Sequence, residues 1–280
     1  MTFRFGISTH LFHGERLSRD HVAAVASRGF TAIELYATRT HFDYLDPAAP
    51  EALGGWLEET GLALHSVHAP TTVGFAGGRW GETLSIGAPD ETARQRAVAD
   101  TVASLGIASV VPFSYLVVHL GVPSKDPAAN SRAAVERSLE ALAEAADAVD
   151  VTLALELIPN ALSTAPRLVQ WLEEDLELGR AGVCLDVGHA NIVGDPVEAV
   201  ETCSGHIVTT HLHDNRAGRD DHLVPGKGSI DWDALTLAFQ KVGYDGAWMF
   251  ELAPAAEWSA MLDQAVTARE RLEGLLQFEF

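Results

Sequence analysis

Nine residues able to bind a metal ion stand at or just beyond the ends of apolar, strand-like runs in this chain. They are His68, His119, Glu156, Asp186, His189, His211, Asp220, His222 and Glu251, and the runs read LALHSVHAP, YLVVHLG, VTLALELIPN, AGVCLDVGHAN, IVTTHLHDN and AWMFEL. A β-branched or leucine-rich stretch ending on an imidazole or carboxylate puts that group at the mouth of a parallel barrel, where strand ends converge. Mixed nitrogen and oxygen ligands suit zinc, manganese or another divalent metal. Glu156, Asp186, His211 and Glu251 come from four consecutive strands and could complete one such site. Four ionisable groups in an apolar barrel are costly unless paired or metal-bound, so the set points to a metal-dependent enzyme.

The remaining candidates surround that group. Asp186 and His189 form D-x-x-H, with Asp186 pointing in from a strand and His189 reaching over from the following loop. Asp220 and His222 form D-x-H, which strand-like alternation puts on one side. His68 and His119 end the third and fourth strands, and a one-metal site would leave them supporting roles or phosphate contacts. His211 and His213 share a face; His211, nearer the strand body, is taken as the ligand and His213 as a substrate contact. His10, at the end of the first strand, is read as a wall of the substrate site, while Arg216 and Arg219 could hold a phosphate or ring oxygen. His65, three positions before His68, is expected to face the helix layer, and His13, His21, His41 and His206 carry no signal. Cys184 lies two residues before Asp186 and should share its inward face one layer deeper, as packing.

These residues need a frame that aims strand ends at one point. Strand patterns run over 3–8, 32–36, 62–68, 116–119, 151–156, 183–186, 207–211 and 247–251. Amphipathic helix patterns alternate with them at 18–28, 47–60, 90–106, 127–149, 165–175, 196–202, 231–242 and 255–276. Gly29 and Gly61 stop the first two helices, and Asp90 is a suitable N-cap for the third. Strict β-then-α alternation at this length implies one (β/α)8 barrel over residues 1–280, since such a domain needs roughly 250 residues. Two loops, 69–89 and 214–229, exceed the rest. The first is rich in glycine and carries Phe75, Arg79 and Trp80, as a lid or substrate wall would.

Composition narrows the partners. With 19 Lys+Arg against 39 Asp+Glu and a formal charge of -20, the chain lacks the basic surface a nucleic-acid backbone requires. No apolar run approaches the roughly 20 residues that span a bilayer, and the N-terminal MTFRFGISTH does not read as a secretion signal. Two cysteines give no disulfide framework. A small-molecule substrate, a cytoplasmic location and a homodimer are the expectations.

At this point the chain resembles the xylose-isomerase-like barrel superfamily, which includes endonuclease IV-type phosphodiesterases and sugar or sugar-phosphate isomerases and epimerases. SVHAP, VVHLG, LALELIPN, CLDVGHAN, HLHDN, DDHLVPGKGSIDW and FEL carry the resemblance. The endonuclease IV likeness implies three zinc ions: His68 and His119 on the first, Glu156 bridging to a second completed by Asp186, His211 and Glu251, and His189, Asp220 and His222 on the third. The chain departs from that nuclease at His213, where the nuclease has asparagine, and in lacking basic DNA-gripping loops.

Two chemistries compete. In the first, a hydroxide held between metals attacks a small phosphodiester or phosphotriester. In the second, one divalent metal polarises a ketose while Glu156 and Glu251 exchange a proton on opposite faces of an enediolate and His189 assists. The first uses all nine residues, and on that economy a phosphoester hydrolase is expected ahead of an isomerase or epimerase.

Overall fold

The computed structural model describes residues 4–254 and 257–277. The expected starts of the first strand and last helix, Phe3 and Ala255, lie outside the described residues. Eight strands form the barrel: β1 (Arg4–Ser8), β2 (Ala32–Tyr36), β3 (Ala63–His68), β4 (Tyr115–His119), β5 (Thr152–Glu156), β6 (Ala181–Asp186), β7 (Ile207–His211) and β8 (Ala247–Phe250). All pair in parallel in the order β8-β1-β2-β3-β4-β5-β6-β7. A bridge between Leu212 and Phe250 closes the ring, with the Leu212 N–H donating to Met249 O at 2.8 Å and the Glu251 N–H to Leu212 O at 3.2 Å. Closure removes both sheet edges and brings every strand end to one mouth.

The helices cover the outside: α1 (Arg19–Ser27), α2 (Ala48–Thr60), α3 (Glu91–Leu105), α4 (Arg132–Asp147), α5 (Ala165–Gln170), α6 (Val187–Val193), α7 (Pro196–Thr202), α8 (Trp232–Lys241) and α9 (Trp258–Leu276). Leu53, Leu139, Leu168, Leu235 and Leu262 are each fully buried on these helices, inside one continuous core with Ile33, Val118 and Leu185 of the strands. Asp90 caps α3 by accepting from the Ala93 N–H at 2.8 Å. Gly29 and Gly61 end α1 and α2 at φ of 76° and 73°, where a side chain would clash with backbone. No helix among the described residues is long and apolar enough to cross a membrane.

Three local features differ from the sequence pattern. The expected 127–149 helix is broken into a 3-10 turn, Pro127–Ala129, and α4. Asn130 is extended there because its side-chain amide pairs with both the N–H and C=O of Val122, at 2.7 and 2.9 Å. His189 sits on the short helix α6, not on a loop, because Asp186 Oδ1 accepts the His189 N–H at 2.7 Å and starts a helix at the strand end.

The third difference is in β3. Ile33 pairs with Leu64 but Glu34 with Ser66, so His65 is an extra residue that resets the pleat. The expectation that His65 faces the helices is therefore wrong. Its ring is buried, with Nε2 3.1 Å from Thr209 Oγ1, two residues before His211 on β7. Cys184 packs with Val117 and Ala154 one layer beneath the strand ends, where it was expected.

Candidate active site

The strand ends deliver a buried floor. Glu156, Asp186, His211 and Glu251 are 0–4% exposed, and each offers a ligand atom within 4.8 Å of the others. His211 Nδ1 lies 3.2 Å from Glu156 Oε1, 3.4 Å from Glu251 Oε2 and 3.8 Å from Asp186 Oδ2. On the adjoining side, Glu156 Oε2 is 2.9 Å from His119 Nε2 and 3.2 Å from His68 Nε2. Burial pushes the Glu156 carboxyl up, but the charges of His119 and His211 outweigh it and hold the acid well below the usual carboxylate range. Burial likewise opposes charge on His211, and the surrounding anionic groups raise it well above an ordinary imidazole.

A rim stands above this floor. His189, His213, Asp220 and His222 form a second close group, and His10 joins His222 and Glu251 in a third. Asp220 Oδ2 is 3.1 Å from His189 Nε2 and 3.0 Å from His222 Nε2. His213 Nε2 is 3.0 Å from Asp186, and the His213 and His222 rings stack with centroids 4.0 Å apart. Gly188 is required here, since a Cβ would meet the His213 ring at 2.0 Å. His10 stands on a 3-10 turn, Thr9–Phe12, just past β1, with Nδ1 3.0 Å from Leu252 O.

Not every candidate comes to this centre. Arg219 is 85% exposed and pairs with neighbouring Asp221, while Arg216 donates to Lys227 O at 3.3 Å. Neither guanidinium reaches the floor or the rim. The loop after β3 folds into a hairpin, Phe75–Ala76 with Arg79–Trp80, whose Trp80 ring lies 4.4 Å from His13. His13, Phe75, Trp80 and Tyr36 thus build an aromatic wall against His10, and sequence reading gave His13 and Tyr36 no role. It also missed Glu34, fully buried with Oε2 3.0 Å from His211 Nε2. A lone acid inside the apolar run AIELY was the available signal.

The donor set fits a divalent cation. Glu34, Glu156, Asp186 and Glu251 are buried, and every ion-pair partner they have among the described residues is a histidine. Glu156 Oε2 is buried without an aligned hydrogen-bond donor among those residues, despite the two nearby imidazoles. Carboxylates so desolvated need a counter-charge, and mixed oxygen and nitrogen donors supply a site for one.

The architecture is a parallel barrel with a strand-end cluster able to hold a metal ion, and residues 22–272 match the model of the xylose isomerase-like TIM barrel. The chain belongs to that family. It is 28% identical over 278 residues to a proposed hydroxypyruvate isomerase of Streptomyces coelicolor, covering 92% of this chain and 93% of that one. With the D-psicose 3-epimerase of Enterocloster bolteae it shares 23% identity over 249 residues, covering 83% and 76%. The crystal structure of a D-tagatose 3-epimerase-like protein superposes with a TM-score of 0.77 at 25% identity, covering 98% and 97%.

These relatives overturn the expected hydrolase. They are sugar epimerases and isomerases, so phosphodiesterase or phosphotriesterase chemistry, with zinc as its mark, is corrected in favour of the alternative. The error was to count ligands. Buried acids and imidazoles that would hold several metals are equally the groups that move protons and orient hydroxyls around one.

Proposed function

We propose that this protein is a divalent-metal-dependent epimerase or isomerase of a small ketose or related hydroxycarbonyl compound. The observation that carries the reading is the pair Glu156 and Glu251. They rise from β5 and the end of β8 to within 3.2 and 3.4 Å of the same atom, His211 Nδ1. Glu156, Asp186, His211 and Glu251 would hold a divalent ion, which would supply Lewis-acid polarisation of a carbonyl and its neighbouring hydroxyl. One glutamate then takes the proton from the carbon beside the carbonyl, and the other returns a proton from the opposite face. Glu156, held ionised by its imidazole neighbours, is able to accept a proton. His189, fixed through Nδ1 to Leu157 O at 3.0 Å and Nε2 to Asp220, steers a substrate hydroxyl, and His10 and His213 line the remaining sides. The relatives' names supply the substrate class: psicose, tagatose and hydroxypyruvate all carry a hydroxyl beside a carbonyl.

The test is proton exchange. The Mn2+-loaded protein, given a panel of ketoses and hydroxypyruvate in D2O, should place deuterium at the carbon next to the carbonyl of at least one substrate. Product formation should accompany it. A panel with neither exchange nor product, alongside hydrolysis of an aryl phosphodiester, would defeat the proposal.

A further inference from the structure

We propose that Glu34 is a positioning residue that makes His211 a metal ligand through Nδ1 and no other atom. The inference rests on the metal site just proposed, but not on which sugar the enzyme uses. His211 is fully buried and has a carboxylate on each side of its ring. Nδ1 faces Glu156, Glu251 and Asp186, the proposed ligands. Nε2, across the ring, is 3.0 Å from Glu34 Oε2, and Glu34 lies outside the ligand group. An ionised carboxylate can only accept, so this contact requires the proton on Nε2. When a cation displaces the other ring proton, the lone pair it meets is on Nδ1, where the other three carboxylates converge. An imidazole free to choose its tautomer or rotate would lose part of that directionality.

Glu34 is itself held in place. The Ser66 hydroxyl donates to the same Oε2 at 2.8 Å, and the bulge at His65 is what puts Ser66 opposite Glu34. The second oxygen, Oε1, is buried with no hydrogen-bond partner among the described residues. A stranded charged acceptor costs folding free energy, so packing does not explain the residue. A carboxylate behind a metal-bound imidazole both fixes its orientation and raises its basicity.

Titration calorimetry of the chelator-stripped protein with Mn2+ alone tests this. Glu34→Gln keeps the size and an acceptor oxygen but removes the charge, and should weaken Mn2+ binding about 10–100-fold. Glu34→Asp should recover part of that loss, which a purely steric role would not predict. Ser66→Ala, which removes the hydroxyl that holds Glu34 Oε2, should weaken binding by roughly 2–5-fold, a fraction of the loss in Glu34→Gln. Wild-type affinity in Glu34→Gln overturns the proposal; should that variant fail to fold, wild-type affinity in Ser66→Ala overturns it. If the wild-type protein takes up no Mn2+, the metal site of the proposed function fails and this role with it. Tight wild-type binding that Glu34→Gln leaves unchanged sinks the positioning role only.

Discussion

The floor and the rim of this mouth use the same side chains under different constraints. Glu156, Asp186 and His211 end strands locked into a closed ring, and all three are fully buried. Asp220 and His222 belong to the loop after β7, and the Asp220 side chain is 36% exposed. The short helix α6 joins the two, because Asp186 caps it and His189 rides on it. The floor is therefore fixed by the fold, while the rim is fixed by its own hydrogen bonds. Loss of a floor residue should remove chemistry, and loss of a rim residue should loosen substrate. A site on strands is held more tightly than a site on loops.

The largest effect tests the floor. Glu251→Gln keeps the shape and removes the proposed proton carrier, so turnover in the exchange assay should fall by about 10²–10⁴-fold, the usual worth of a general acid or base. Glu156→Gln should match it while also weakening metal binding. A ketose-converting enzyme that tolerates both changes would break the comparison at its root.

Next come two opposite responses to pH, measured as unfolding free energy with chelator present. His65, one layer beneath the floor, is pulled down to about 4 by burial, with nearby Glu34 opposing. Its folded value lies below the unfolded 6.5, so the unfolded chain binds the extra proton first. Stability is lost as pH falls from 6.5 to 4, by up to about 3 kcal/mol. His222 on the rim behaves in reverse. Burial opposes its charge, but the hydrogen bond to Asp220 and the Glu251 charge raise it to about 9. That contribution is complete below 6.5 and disappears as pH rises through 9; partial exposure of Asp220 screens it to roughly 1 kcal/mol. His65→Asn should shrink the acid limb, which buried His41 shares, without touching the alkaline one, and Asp220→Asn should shrink the alkaline limb. Both limbs moving together would mean that floor and rim are one cooperative unit.

The contrast also explains what the sequence could reveal. Strand-end residues such as His119 and Asp186 are legible because period-two alternation and a following glycine or helix cap mark both their face and their position. The eight-strand barrel is legible for the same reason. His65 is not, because a bulge breaks that period, and nothing in LALHSVHAP announces the extra residue. Glu34 was passed over because it stands within a strand rather than at its end, where ligands were sought. Arg216 and Arg219 look suitable by type, yet loop geometry turns them outward. Function failed for a different reason: ligand types fix a metal site's chemistry far more loosely than its position, and proton transfer and phosphoryl transfer draw on the same residues.

The smallest expected effect concerns the hairpin that walls the mouth. Phe75 and Trp80 pair across a turn of Gly77 and Gly78, both at positive φ, 58° and 73°. A two-stranded hairpin is marginal alone, and Thr40 Oγ1 ties it to the barrel by accepting the Phe75 N–H at 2.8 Å. The same hairpin lays Trp80 against His13. Thr40→Val removes that one hydrogen bond, worth about 1 kcal/mol, so KM should rise by roughly 2–5-fold with kcat unchanged. Trp80→Ala should move KM in the same direction and further. A fall in kcat with KM constant would place the hairpin in the chemistry rather than in substrate retention, and the division between a catalytic floor and a binding rim would have to be redrawn to include it.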